Sequence, residues 1–484
     1  MGKIKDFLFQ NRNTGQTVVK NAFWLTVGQL GTRLFRALII IYAAIVLGTS
    51  GYGVFAYALG LAGFFTIFAD IGIGHILTRN ISKYPERASY YFVTSLWIKI
   101  FLLFITGGFI ILIAPYFSNI EAAKALLPLV ALLTVFDGIR DLSIAFFRGM
   151  EKMQFEALIT AFTNIAITIF GFVILLVSPT VMSLTISYVL SAGAGTLLSI
   201  FLLREQFAGL FKFFRIKLLK PILFSAWPVA LVGVLGVFML HTDILMLGFF
   251  KSPEDIGLYS ASQKIVQLLY MLPGILATSL FPSISRLVGK ASHEKVKVLM
   301  ERGITIVFLI ALPLTIGGII LGKNIIHFLY GSEFLLATVT FQILILSTLI
   351  MFPGYLLSNY IVAHDKQKKI AFIVGFGSLG NVFLNALLIP PFGIIGAALA
   401  TVCSLLIYNG LVWRVAKKIN NFYTLRYLKT VVVAAVLMGF LSFALNIFGA
   451  HVLINVILSA AFYFTTLILL KERTLFEIKS IIER

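Results

Sequence analysis

The chain has 484 residues, of which 60% are apolar and 14% aromatic but only 12% charged, roughly half the charge of about 25% that a soluble domain carries. That balance excludes a soluble multidomain enzyme and equally a disordered or fibrous chain. The 39 Lys and Arg against 19 Asp and Glu leave a net charge of +20. In a soluble protein this would point to nucleic acid; here it has to be read against a membrane. The single cysteine, Cys403, allows neither an internal disulfide nor a cysteine metal site.

The first twenty residues carry Lys3, Lys5, Asp6, Arg12 and Lys20 among short apolar patches, so no cleavable signal peptide is expected and the first spanning helix serves as its own insertion signal. A membrane-crossing helix needs about 20 mainly apolar residues. Such runs occur at 20–47, 52–77, 90–116, 122–147, 154–177, 181–203, 222–249, 256–284, 302–328, 334–362, 370–389, 393–415, 427–449 and 451–470, separated by Gly, Pro or clustered charge. The expectation is an all-α polytopic membrane protein with fourteen transmembrane helices.

Lys and Arg accumulate in cytoplasmic loops. With the N-terminus inside, they collect around Arg79 and Arg87, Arg148 and Lys152, Arg204 to Lys220, Arg286 to Arg302, Lys366 to Lys369, Arg414 to Lys429, and in the tail from Lys471. The opposite loops hold only Lys124, Lys251 and Lys323, and Arg33, Arg36, Lys99, Arg140 and Lys264 fall within the spans. The alternation predicts both termini on the cytoplasmic side.

Gly51-Tyr52-Gly53-Val54-Phe55-Ala56 before the second span is echoed by Ile256-Gly257-Leu258-Tyr259-Ser260-Ala261 before the eighth. An even number of helices per repeat preserves orientation, which predicts two pseudo-symmetric six-helix lobes and a final pair. The organisation is then a cytoplasmic N-terminus (1–19), an N-terminal lobe (20–203), a basic cytoplasmic linker (204–221), a C-terminal lobe (222–420), two extra helices (421–470) and a cytoplasmic tail (471–484). The linker mixes Phe and Leu with Arg and Lys, which suits either a helix lying in the membrane interface or a plain basic loop.

Ionisable groups inside spans are costly and mark functional-site candidates. Gln29, Arg33 and Arg36 stand at i, i+4 and i+7 of the first span, on one helical face. They suit either a cationic stripe gripping phosphate oxygens or pairing with acids of a neighbouring helix. Those acids are Asp70 in the second span and Asp137 and Asp141 in the fourth, where Asp137 and Arg140 are spaced to form a structural ion pair along the helix with Asp141 beside it. Lys99 in the third span adds a cation. In the seventh span His241 and Asp243, two apart, point in different directions, which disfavours a shared metal site. Asp243 is a candidate for ion coupling or for pairing with Lys264. Gly375-Phe376-Gly377-Ser378-Leu379-Gly380 matches a dinucleotide fingerprint by letter, but it lies inside an apolar span with no preceding strand, so helix packing is the better account. No metal motif, P-loop or catalytic elbow is present, and no enzymatic activity is expected.

The runs Leu47-Gly48, Gly51-Tyr52-Gly53-Val54-Phe55 and Asp70-Ile71-Gly72, with Asp243, Leu247-Gly248, Gly257-Leu258-Tyr259-Ser260-Ala261, Lys264 and Pro282-Ser283-Ile284-Ser285-Arg286, resemble the polysaccharide-biosynthesis flippases of the multidrug/oligosaccharidyl-lipid/polysaccharide superfamily. The resemblance implies two lobes around an alternately open cavity in the cytoplasmic membrane. It also implies movement of a polyprenyl-pyrophosphate-linked oligosaccharide to the outer leaflet, for cell-surface polysaccharide synthesis. On that basis Arg33 and Arg36, with Gln29, would contact the pyrophosphate, and Lys99 or Lys264 would extend the cationic surface. Asp70 or Asp243 would couple transport to H+ or Na+, with no other cofactor. The lipid-linked substrate, membrane lipids and polysaccharide-assembly enzymes are the implied partners, and nucleic acid is not. The alternatives are a multidrug or toxin extrusion antiporter, a peptidoglycan-precursor (lipid II) flippase of the same superfamily, and a membrane glycosyltransferase or polymerase, for which the outer loops are too short. The second span carries Asp70 and no arginine, which departs from the lipid II pattern.

Overall fold

The computed structural model describes residues 14–290, 292–423 and 425–472, and within these the side chains of 14–30, 32–34, 67, 228, 232 and 425–427 lie outside the description. Among the described residues the secondary structure is helical throughout. Eleven helical stretches among the described residues are long and apolar enough to cross a membrane. Large apolar side chains point away from the packed interior, such as Phe104 at 82% exposure and Phe372 at 78%. Apolar surface this extensive is compatible with lipid and not with water. The protein is a multi-pass membrane protein.

Two compact units divide the chain, 1–257 and 258–484. In the first, α1 (Thr14–Ala69) is broken at Gly48, whose φ of 67° and ψ of −179° belong to a region that glycine alone enters cheaply. The break falls where the sequence separates its first two spans. Then follow α2 (Ile73–Lys83), α3 (Ala88–Gly108), α5 (Leu127–Gly149) after the one-turn α4 (Glu121–Lys124), α6 (Met153–Val177), α7 (Val181–Leu202) and α8 (Leu219–Phe250). The linker forms two short helical turns, Arg204–Ala208 and Ile216–Leu218, and is pinned to α3: the Trp97 indole donates to Leu210 O at 3.2 Å, and the Arg215 N–H donates to Thr94 Oγ1 at 3.2 Å.

Two apolar clusters hold this unit. Ile39, Phe55, Ile167 and Tyr188 join α1, α6 and α7, while Ile73, Phe92, Phe146 and Ile159 join α2, α3, α5 and α6. Close approach is made possible by glycine: a Cβ at Gly171 of α6 would stand 2.6 Å from Ile39 of α1, and one at Gly60 of α1 would stand 2.9 Å from Ile244 of α8.

Helix α9 (Pro253–Leu269) starts at the end of the first unit and runs into the second, which continues with α10 (Met271–Gly289), α11 (His293–Tyr330), α12 (Thr338–Ile345), α13 (Ser347–Ala363), α14 (Gln367–Ile419, broken at Gly393 with φ 56°), α15 (Leu425–Ile447) and α16 (Val452–Leu469). Its core joins Ile284, Met300, Tyr360, Val412 and Phe422. The last two helices pack on α11 through Leu309, Val431 and Tyr463, whose hydroxyl donates to Leu309 O at 2.9 Å. In the glycine run of α14, a Cβ at Gly377 would stand 3.2 Å from Tyr408 Cβ whereas one at Gly380 would meet nothing within 4 Å, so only part of that run serves close packing.

Candidate functional site

The densest set of charges inside the helical body is built around α5. Arg140 places Nη1 2.7 Å from Asp137 Oδ1 and Nη2 3.1 Å from Asp141 Oδ1, so one guanidinium serves two carboxylates. From α3, Lys99 reaches within 3.8 Å of Asp70 Oδ1. It does so by lying across α5 at Gly138, where a Cβ would stand 3.2 Å from Lys99 Cε. The neighbouring turn of α5 is fixed by α7, because Thr196 Oγ1 donates to Phe136 O at 2.8 Å.

Arg36 of α1 lies over the ring of Tyr188, 5.6 Å from its centroid. Tyr188 is itself buried and set edge-on against Phe55. Such an arrangement favours a cation at that point, and Arg36 also exerts a favourable charge interaction on Asp137. The pairs share one asymmetry. The cations lie deep, with side-chain exposures of 17% for Arg140 and 6% for Lys99, while Asp137, Asp141 and Asp70 are 40%, 64% and 58% exposed. In these contacts the carboxylates are the more accessible partners and the cations the less accessible ones.

The sequence expectations map onto this arrangement unevenly. Asp137, Arg140 and Asp141 meet on one helix, and Lys99, Asp70 and Arg36 lie in the same unit. Gln29 and Arg33 belong to the backbone of α1, but their side chains lie outside the described residues. Asp70 does not sit within a continuous helix over 52–77: α1 ends at Ala69 and α2 begins at Ile73. Gly72, with φ 80° and Val229 2.7 Å from where its Cβ would be, makes that break. Asp243 is buried in α8 of the first unit. Lys264 is on α9 in the second, where its Nζ donates to Gln267 Oε1 at 3.4 Å. The His241 ring packs over Gly63 of α1.

Several participants were not singled out from the sequence. Gly138 is one, although a glycine between mid-span charges is a legible sign of close approach. Tyr188, which supports Arg36, is another. In the second unit an uncharged polar seam runs along α14: Asn385 Nδ2 donates to Asn381 O at 3.0 Å, and Asn381 Nδ2 donates to Ser404 Oγ at 3.2 Å. Tyr259 of α9 joins it through Thr401, hydroxyl to hydroxyl at 3.2 Å.

Paired charges on membrane-spanning helices are the candidate-site features of a membrane transporter. The chain belongs to the polysaccharide biosynthesis protein family, whose profile matches residues 18–288; the MatE profile matches 228–387. It is similar to the probable low-salt glycan biosynthesis flippase Agl15 of Haloferax volcanii, with 24% identity over 420 residues covering 83% of this chain and 85% of that one. It is also similar to the probable flippase AglR of the same organism, with 32% identity over 166 residues, which span 34% of this chain and 35% of that one. Among solved structures, the lipid II flippase MurJ in an inward closed conformation superposes with a TM-score of 0.75 at 18% identity, covering 91% of this chain and 97% of that one; at that identity the likeness speaks for the fold.

Proposed function

We propose that the protein is a flippase that moves a polyprenyl-pyrophosphate-linked oligosaccharide across the cytoplasmic membrane by alternating access, for cell-surface polysaccharide synthesis, and is not an enzyme. Membership of the polysaccharide biosynthesis family carries this reading, and the flippase relatives of glycan biosynthesis support it. A pyrophosphate is prohibitively costly to bring into hydrocarbon unless cations replace its hydration. Buried Lys99 and half-buried Arg140, with Arg36 on Tyr188, are groups of that kind.

The finer architecture is part of the proposal. Fourteen crossings follow if the breaks at Gly48 and Gly393 divide two of the eleven apolar stretches and charged α5 supplies one more. Both termini are then cytoplasmic. The lobes span 20–203 and 222–420, with 421–470 as the extra helix pair. Arg33, Arg36, Gln29, Lys99 and Lys264 are assigned to the headgroup. Asp70 or Asp243 is assigned to coupling with H+ or Na+, and the inside-negative potential favours export of an anion by about 2.3 kcal/mol per charge per 100 mV. Polysaccharide-assembly enzymes are the natural partners.

The exposed carboxylate layer favours a second reading, extrusion of cationic drugs. Deletion in the source cell separates the two. Accumulation of lipid-linked oligosaccharide inside with loss of surface glycan supports the flippase; unchanged glycan with new drug sensitivity overturns it.

A further inference from the structure

Among the described residues, the cluster around α5 carries as many carboxylates as cations: Asp70, Asp137 and Asp141 against Lys99, Arg140 and Arg36. Two cations able to attract an anion, Lys99 and Arg140, are thus already compensated by carboxylates. The pairing is also uneven, since Lys99 and Arg140 are each less exposed than the acids they contact.

We propose that Asp137 and Asp70 are built-in counter-anions that hold Arg140 and Lys99 while the transporter is empty, and that the pyrophosphate takes these cations by exchange with them. The inference rests on the flippase reading for its ligand. Carboxylate and phosphate make the same forked contacts with a guanidinium, so one replaces the other without rebuilding the site. The cation remains compensated throughout, which matters because an unpaired charge at membrane depth is costly. Asp70 is suited to leave because it stands in the break between α1 and α2. Asp137 is suited because its side chain is 40% exposed while it holds Arg140 at 2.7 Å. Asp141 keeps a contact to Arg140 and steadies the guanidinium during the exchange. Exchange also provides for release: returning carboxylates compete the headgroup off, so tight binding does not stall the cycle. A singly charged anion gains little by replacing a carboxylate, so the site selects a multiply charged headgroup.

The test uses the full chain in nanodiscs and inorganic pyrophosphate as probe, titrated calorimetrically at fixed ionic strength. Asp137→Asn is expected to tighten pyrophosphate binding by roughly tenfold or more, Asp70→Asn to do the same through Lys99, and Arg140→Gln to abolish the gain from Asp137→Asn. Glu205→Gln, in the short linker helix, is expected to change nothing; an equal gain there would assign the effect to net charge and overturn the proposal. Folded Asp137→Asn that binds no tighter than wild type also overturns it. If that variant does not fold, Asp70→Asn, at an exposed break, decides by the same criterion. Flipping of lipid-linked oligosaccharide in proteoliposomes separates the two readings. Tighter pyrophosphate binding by a chain that never flips the lipid would refute the flippase reading and leave the exchange standing. Flipping with no gain would do the reverse.

Discussion

Lys99 crosses α5 at Gly138, its Cε 3.2 Å from where a Cβ would project, with Leu103 Cδ2 only 2.6 Å away. The absence of a side chain at 138 is what allows a lysine from α3 to run beside Asp137 and Arg140 and reach Asp70. Gly138→Val fills that passage. Overpacking at a well-packed contact costs about 1–3 kcal/mol, and here it also displaces the cation. Detergent-solubilised Gly138→Val is expected to melt several degrees lower and to lose transport, whereas an unchanged melting temperature with normal transport would show that Lys99 does not depend on the passage.

Arg140 serves two acids, so its removal and theirs are coupled. Arg140→Gln leaves Asp137 and Asp141 side by side and is expected to destabilise by about 1–3 kcal/mol, between the values for exposed and fully buried pairs. The double variant Asp137→Asn/Arg140→Gln is expected to recover most of that. A double-mutant cycle of melting temperatures measures the coupling; additive losses would mean that the 2.7 Å contact contributes nothing.

The sequence echo between Gly51-Tyr52-Gly53 and Ile256-Gly257-Leu258 has a spatial counterpart. A Cβ at Gly53 would stand 1.8 Å from Pro253 O and 2.8 Å from Gly257 N, and one at Gly257 would stand 2.0 Å from Thr49 O. A glycine from each echoed motif therefore abuts the other, backbone against backbone. Neither has a flexible neighbour that could give way, so Gly53→Ala and Gly257→Ala are each expected to cost about 3 kcal/mol or more. Size-exclusion chromatography of fluorescent fusions reads the outcome as loss of the monodisperse peak.

At the end of α5, Arg148 grips Glu156 of α6 through two bonds, Nε to Oε2 at 3.0 Å and Nη2 to Oε1 at 2.5 Å. Glu156 is 9% exposed and Arg148 43%. Arg148→Ala strands a buried carboxylate and is expected to cost about 3 kcal/mol. Glu156→Gln, which keeps acceptor and volume, is expected to cost less. The reverse order in thermal melts would assign the stability to packing by the arginine stem.

Much of this was legible in the sequence, for reasons visible at particular residues. The breaks at Gly48 and Gly393 fall between apolar runs because a helix cannot continue through those backbone angles. The contact of Arg140 with Asp137 follows from helical spacing, which brings residues three apart together. What spacing could not provide was depth. That Lys99 and Arg140 are less exposed than their acids depends on which helices stand beside α3 and α5, a long-range property. Nor could periodicity locate the helix end at Ala69, since apolar residues resume at Ile71 past Asp70 and the left-handed backbone of Gly72 is a property of the fold.

The central claim is that the chain moves a pyrophosphate-linked glycolipid between leaflets. The most direct measurement reconstitutes the purified protein in liposomes carrying a fluorescent polyprenyl-pyrophosphate oligosaccharide and follows its exposure to a membrane-impermeant quencher or lectin. Wild type is expected to bring the inner-leaflet pool into exchange, and Arg33→Gln/Arg36→Gln, inserted and folded, to leave it protected. Protected lipid with wild type, or equal exchange with the double variant, would contradict respectively the function and the assignment of the first-helix arginines to the headgroup.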